Sequence, residues 1–299
     1  MRRYSIYKSR DRGPLEFRSR LRREEGAIMT IASRDVVAIS PSLPIKDATE
    51  RMIKYGVRRL PVTDPGTGRL MGILVTRDIL NFLSGGDKHL IVKNKFGGNF
   101  LAAMNEGVRE IMTPNPPCGK NTASIAEVAK ILIKTGVGGV PIVDDHVRVV
   151  GIVTERDFVR FMPSRAGVRV EGHMTKRVVT ADPELPIGGA VRRMISEGFR
   201  RLPVVEGGEL VGIVTSVDIL RYFGTSEMFK HMPRGRLEEA MSVSVSEIMT
   251  RDLVTVGPDA DLGEAAQMME ERGCGALPVV VGRKLVGIIT ERDILKLLI

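Results

Sequence analysis

The stretch Arg200–Leu220, RRLPVVEGGELVGIVTSVDIL, has three near-copies in the same chain: RRLPVTDPGTGRLMGILVTRDIL, GGVPIVDDHVRVVGIVTERDF and GALPVVVGRKLVGIITERDIL. A fourfold repeat constrains the fold more than any other feature, because each small unit must bury a face that it cannot bury alone. Each repeat opens on a Met-Thr pair, at Met29-Thr30, Met112-Thr113, Met174-Thr175 and Met249-Thr250. A short β-branched run follows, such as VVAIS or LVTV, then a turn, then a helix with apolar spacing of three and four. Ile45, Ala48, Met52 and Ile53 form that stripe in repeat 1, and Ile187, Val191, Met194 and Ile195 form it in repeat 3. A glycine closes each helix (Gly56, Gly136, Gly198, Gly273), as a left-handed C-terminal cap requires. Two strands joined by a Gly- or Asp-rich turn come next, and a final helix ends the unit. The predicted order is strand, helix, strand, strand, helix, an α+β class.

The four copies are not equal. Repeats 1 and 3 carry Arg-Arg-Leu-Pro at Arg58-Arg59 and Arg200-Arg201, whereas repeats 2 and 4 have Gly138 and Gly275 at the first of those places. Long segments follow repeats 1 and 3, about Asn81 to Gly107 and Arg221 to Ser244, and only a short one follows repeat 2. Asp78 and Asp218 lie 140 positions apart, Asp157 and Asp293 136 apart. The pattern is ABAB, a duplicated pair. It predicts two modules, residues 27–165 and 166–299, behind a basic arm at 1–26 that holds nine Arg or Lys against four acids. Such an arm is a solvated tail or an electrostatic handle for a kinase-like partner or nucleic acid.

The polar residues that end each repeat bear on function. Thr154/Asp157, Thr215/Asp218 and Thr290/Asp293 stand where the second strand gives way to a helix, in the spacing of a capping box. Three helix caps would need no ligand. The same junction, however, offers free N–H groups and a positive dipole end, which suit phosphate. Gly151, Gly212 and Gly287, three residues before each Thr, permit a close approach of another group to the strand. Arginines at Arg58 and Arg200 could reach an anion held by a neighbouring repeat. Repeat 1 departs from the pattern. Val75 stands where Thr belongs, Thr76 is displaced by one, and Asp78 lacks its hydroxyl partner, so that site is expected to be weak or empty.

On these motifs the chain from about Ile28 onward resembles four CBS domains paired as two Bateman modules in a disk-like body. It is similar to stand-alone archaeal four-CBS proteins and to the gamma subunit of AMP-activated protein kinase. The resemblance implies ligands of the AMP, ADP or ATP type. Asp157, Asp218 and Asp293 would take the ribose hydroxyls, Thr154, Thr215 and Thr290 the ribose–phosphate region, and Arg58 and Arg200 the phosphates, with Arg59 and Arg201 as weaker candidates. The function implied is that of a regulatory, energy-sensing protein, either a monomeric disk or a homodimer, that signals to a kinase-like or other effector.

Composition narrows the alternatives. Apolar residues make up 43% of the 299 and charged residues 27%, a globular balance, and net charge is +9, which favours anionic partners. Nucleic-acid binding is therefore an alternative, weakened by an aromatic content of 4% with no Trp to stack on bases. A sensor of an S-adenosylmethionine-type adenosyl ligand is another, opposed by the paired arginines. The two cysteines, Cys118 and Cys274, make no disulfide framework, and no apolar run reaches the ~18 residues that span a bilayer, so a cytoplasmic protein without membrane partners is expected. The histidines (His89, His146, His173, His231) have no metal-type spacing, and phosphate-binding Walker A and nucleophile-elbow motifs are absent. No metal and no enzymatic activity are expected.

Overall fold

A computed structural model describes residues 27–84, 86–233 and 236–299; the basic arm at 1–26 lies outside the described residues. The predicted unit is present four times. Its first helix is Ile45–Tyr55, Ile125–Thr135, Ile187–Glu197 or Leu262–Glu271. A hairpin follows (Arg59–Thr63 with Leu70–Val75 in repeat 1, Arg201–Glu206 with Glu209–Thr215 in repeat 3), then a second helix such as Thr76–Leu83 or Ser216–Gly224. Gly56, Gly136 and Gly198 cap the first helices in the left-handed conformation, at φ of 62°, 72° and 74°. In repeat 4 the helix ends one residue sooner and Gly273 (φ 64°) turns the chain just beyond its cap.

The predicted opening strand is much shorter than its β-branched run suggests. In three repeats it is a single parallel bridge, Ile39 to Val62, Ala181 to Val204 and Val256 to Val279; in repeat 2 it is the two-residue pair Gly119–Lys120. The reason lies in its partner. Each bridge pairs beside the strand proline, which offers a carbonyl but no N–H: Ile39 N–H donates to Pro61 O, and Thr63 N–H returns a bond to Ile39 O, each at 2.9 Å.

Neighbouring repeats are joined by exchange of their opening segments. Met112-Thr113 of repeat 2 lies on the sheet of repeat 1, where Thr113 pairs with Ile73. Ser33 of repeat 1 bridges Ile152 of repeat 2, and the same reciprocal exchange links Thr175 to Ile288 and Thr250 to Ile213. Val108 and Ile111, though they open repeat 2, are fully buried in the core of repeats 1 and 3. The strand glycines make room for this exchange. A Cβ on Gly72 would stand 2.7 Å from Met112 Sδ, on Gly212 2.5 Å from Met249 Sδ, and on Gly287 2.4 Å from Met174 Sδ. At Gly72, Gly212 and Gly287 the close approach is therefore that of the sister repeat's methionine; at Gly151 a Cβ would meet Ala32 Cβ of repeat 1 at 3.2 Å.

Helices close the ring in the other direction. One apolar core joins repeat 1 to repeat 3, with Met52, Leu80 and Phe82 alongside Val191, Ile219 and Phe223. A second joins repeat 2 to repeat 4, with Leu132 and Phe158 alongside Leu277 and Ile294. The long segments after the odd repeats cover the first core: His89–Phe96 and Phe100–Met104 form helices, Val92 and Phe100 are buried, and the Phe100 and Phe223 rings meet edge-on at 6.5 Å. Among the described residues no helix is long and apolar enough to cross a membrane.

Candidate functional site

At all four junctions the aspartate accepts the backbone N–H three residues before it; in repeats 2, 3 and 4 it also accepts the Thr hydroxyl, and in repeat 3 the Thr returns a bond to the aspartate N–H. Asp218 Oδ2 accepts the Thr215 backbone N–H at 2.8 Å and its hydroxyl at 2.7 Å, and Thr215 Oγ1 accepts the Asp218 N–H at 3.3 Å. Asp157 accepts the Thr154 N–H and hydroxyl at 2.7 and 2.9 Å, and Asp293 accepts those of Thr290 at 3.0 and 2.6 Å. In repeat 1 the backbone bond survives, Val75 N–H to Asp78 at 2.9 Å, but Thr76 turns away and donates to Arg58 O at 3.3 Å. Each aspartate uses one oxygen, Oδ2, for the cap, and its other oxygen, Oδ1, is left outside the cap.

A cavity of about 750 Å³ opens where the four repeats meet. It gathers Thr154 and Asp157 from repeat 2, Thr215 and Asp218 from repeat 3, and all four paired arginines, Arg58, Arg59, Arg200 and Arg201. Exchanged segments complete it: Val36 and Val37 follow the repeat 1 segment that bridges Ile152, and Leu253 and Val254 follow the repeat 4 segment that bridges Ile213. Each sister repeat thus adds an apolar pair to the cavity that holds the junction aspartates. Thr290, Asp293 and Asp78 do not line this cavity. Burial pushes Asp78 up in pKa, opposed by Lys88, whose ammonium stands 2.5 Å from Asp78 Oδ1.

Behind the cavity wall lies a lattice of acids and arginines that the sequence reading missed. Glu155, almost fully buried, accepts Arg292 Nε from repeat 4 at 2.6 Å and Arg200 Nη2 from repeat 3 at 3.1 Å. Glu291 mirrors it, accepting Arg156 Nε from repeat 2 at 2.8 Å, with Arg58 Nη2 at 3.7 Å. Arg156 and Arg292 also donate to the backbone carbonyls of Gly273 and Gly136 at the facing helix ends. Burial pushes the Glu155 carboxyl up, but Arg200 and Arg292 outweigh it and hold the pKa below the ordinary glutamate value. The signal was legible in the sequence: both even repeats read Thr-Glu-Arg-Asp at the junction, and neither odd repeat does.

The glycines of the even repeats make room for this lattice. A Cβ on Gly138 would stand 2.3 Å from Arg59 and 2.5 Å from Arg200, and one on Gly275 2.8 Å from Glu291. The space they leave is filled by guanidinium and carboxylate groups.

The electrostatics of the cavity are unbalanced. Burial, together with the charges of Arg58 and Arg200, pushes Arg59 down to about 9; burial, with Arg200 and Arg58, pushes Arg201 down to about 10. Among the described residues no carboxylate pairs with either. A guanidinium stays charged under ordinary conditions. The shifts therefore mark buried positive charge, crowded by neighbouring arginines and only partly offset at a distance by Glu155 and Glu291 at Arg59 and by Glu291 at Arg201. Among the described residues no group of three His, Cys, Asp or Glu could hold a metal ion.

Comparison with known proteins gives the chain its relatives. The family profile described as CBS domain matches residues 28–85, 108–164, 169–225 and 245–299. An uncharacterized protein of Methanocaldococcus jannaschii, MJ1225, is 38% identical over 273 residues, which is 90% of this chain and 98% of that one. Its crystal structure, described as that of a proposed archaeal homologue of g-AMPK, matches with a TM-score of 0.86. An uncharacterized 33.4 kDa protein from the ribosomal RNA operon of Thermofilum pendens is 32% identical over 87% of both chains. A crystal structure of an uncharacterized conserved protein from Pyrococcus horikoshii matches with a TM-score of 0.59 at 25% identity, covering 91% of this chain and 99% of that one.

Proposed function

The chain belongs to the CBS domain family, and from that membership and the cavity at the centre of its ring we propose that it is a regulatory protein that binds adenine nucleotides and passes their occupancy to a partner protein. The observation that carries the reading is the meeting of two Thr/Asp junctions with four arginines in one cavity, two of those arginines having no carboxylate partner among the described residues. Asp157 and Asp218 would accept ribose hydroxyls, and the apolar walls at Val36-Val37 and Leu253-Val254 would hold the base. The phosphates would point to Arg58, Arg59, Arg200 and Arg201, where a planar guanidinium can engage two oxygens together. Description of MJ1225 as a proposed archaeal homologue of g-AMPK supports the same reading.

The lattice supplies a mechanism for the signal. Arg58 and Arg200 face the cavity and also touch Glu291 and Glu155, the acids that bind one module to the other. A phosphate that draws these arginines inward loosens their hold on the acids. One, two or three phosphates would draw them to different extents, and so favour different packings of the modules, which is what a ligand must do to shift a conformational equilibrium.

Calorimetric titration of the protein with AMP, ADP, ATP and S-adenosylmethionine tests the reading. The expected outcome is saturable binding of the three nucleotides and weaker binding of S-adenosylmethionine, whose sulfonium cation would face the unpaired arginines. Binding of S-adenosylmethionine alone, or of none of the four, would overturn it. Binding of duplex DNA that falls steeply with salt would favour a nucleic-acid protein instead.

A further inference from the structure

The four junctions share one cap but differ in what holds the outer carboxylate oxygen, Oδ1. In repeat 2, Arg160 Nη2 donates to Asp157 Oδ1 at 2.8 Å, from a side chain that is 46% exposed. In repeat 4, Lys296 lies loosely over Asp293 at 3.9 Å, 57% exposed. Both cations stand three residues after their aspartate. Arg221 occupies that position in repeat 3 and lines the cavity, yet among the described residues no hydrogen bond or ion pair reaches Oδ1 of Asp218. In repeat 1 the position is Asn81, which does something else: its side-chain oxygen accepts the backbone N–H of Lys88 at 2.9 Å. Lys88, from the segment between repeats 1 and 2, is thereby anchored with its ammonium on Asp78 Oδ1 at 2.5 Å, and it donates as well to the carbonyl of Ile111. Only 25% of its side chain is exposed.

A ribose hydroxyl that approaches Oδ1 competes for space and for lone pairs with whatever cation already covers it. Displacing an exposed arginine or lysine costs little, since such pairs contribute little in water. Displacing Lys88 strips a half-buried ammonium of two acceptors at once, and a buried charge left unpaired is costly. We propose that these cations rank the four junctions as ligand sites, with Asp218 filled first, Asp157 and Asp293 after it, and Asp78 closed by Lys88, which occupies the place of a ligand. The ranking rests on the reading above, in which the junction aspartates take ribose.

Titration with AMP, read as the number of equivalents bound and the affinity of each, tests it on the full chain. Asp218→Ala is expected to weaken the tightest event by roughly ten- to a hundredfold. Lys88→Met, which keeps the aliphatic stem and loses the cation, is expected to bind one further equivalent of AMP. Lys88→Arg, which keeps the cation, is expected to show the wild-type number. If the wild type binds AMP but Lys88→Met binds no more of it, or if Lys88→Arg gains the same extra event, the closure by Lys88 is wrong while the nucleotide reading stands. If Asp218→Ala weakens a lesser event and leaves the tightest unchanged, the order is wrong. If the wild type binds neither AMP nor adenosine, the parent reading falls and the ranking with it.

Discussion

The odd and even repeats have the same fold and carry complementary charges. Odd repeats supply Arg58-Arg59 and Arg200-Arg201 to the centre; even repeats supply Glu155-Arg156 and Glu291-Arg292. At the positions of the two glutamates the odd repeats have Thr76 and Ser216, both buried and uncharged. The interface between repeats 1 and 3 is accordingly an apolar helix packing, whereas that between repeats 2 and 4 adds two buried carboxylates, each gripped by arginines from other repeats. The ABAB pattern is thus a division of labour. One pair of repeats carries surplus positive charge into the cavity, and the other carries the acids that keep part of that charge in place.

Removal of an acid from the even side should break this division most visibly. Glu155→Ala leaves Arg200 and Arg292 without their carboxylate; breaking a fully buried pair from one side costs roughly 3–5 kcal/mol, and because both arginines are about a third exposed the loss should be about 2–3 kcal/mol. Ser216→Ala, at the corresponding place in an odd repeat, removes no ion pair and should cost about 1 kcal/mol or less. Chemical denaturation of both variants checks the contrast; equal losses would mean that the lattice adds nothing to the ring.

At the junction itself, cap and ligand roles can be separated. Asp218→Ala should lower stability by about 1 kcal/mol through the lost cap. It should also weaken AMP binding at its site by roughly ten- to a hundredfold, the value of hydrogen bonds to a charged acceptor. Melting and affinity measured on the same variant distinguish these, and an affinity unchanged at every site would leave Asp218 as a cap alone.

The smallest effect sharpens the comparison in the hairpins. In repeat 1 the turn places Gly68 at φ 70°, and in repeat 2 the equivalent turn forces Val147, a β-branched residue, to φ 61°. The Val147 carbonyl accepts the N–H of Leu70 at 2.9 Å, which ties the two hairpins together. Left-handed backbone costs such a residue roughly 1–2 kcal/mol, and glycine loses roughly 0.5–1 kcal/mol more entropy on folding. Val147→Gly should therefore stabilise the protein by about 0.5–1 kcal/mol. A loss of stability on denaturation would show that the valine side chain contributes packing that outweighs the strain.

Much of the fold was legible because it was written four times. The helix stripes, the capping glycines and the Thr/Asp caps each follow from local spacing, and repetition fixed their order. The opening strands were over-read, because β-branched composition says nothing about the proline beside which they must pair. The exchange of segments was not legible: Met112 and Gly72 are 40 positions apart, and only the assembled sheet shows that the one fills the space left by the other. In the site, the aspartates and Arg58 and Arg200 could be named from motif and resemblance. Lys88 could not, since it lies in a segment with no counterpart in the repeat and reaches Asp78 only through the Asn81 anchor. Glu155 and Glu291 could have been noticed from the shared Thr-Glu-Arg-Asp, but within one repeat a glutamate after the cap residue reads as nothing more than a complement to the helix dipole.

The central claim is that the odd-repeat arginines read phosphate, and the most direct test compares AMP with adenosine on the wild type and on Arg200→Ala. The account predicts that the substitution weakens AMP and ATP far more than adenosine, so that the preference for the phosphorylated ligand collapses. An equal loss for adenosine and AMP would contradict it, and would make Arg200 a partner of Glu155 that shapes the cavity without recognising the phosphate.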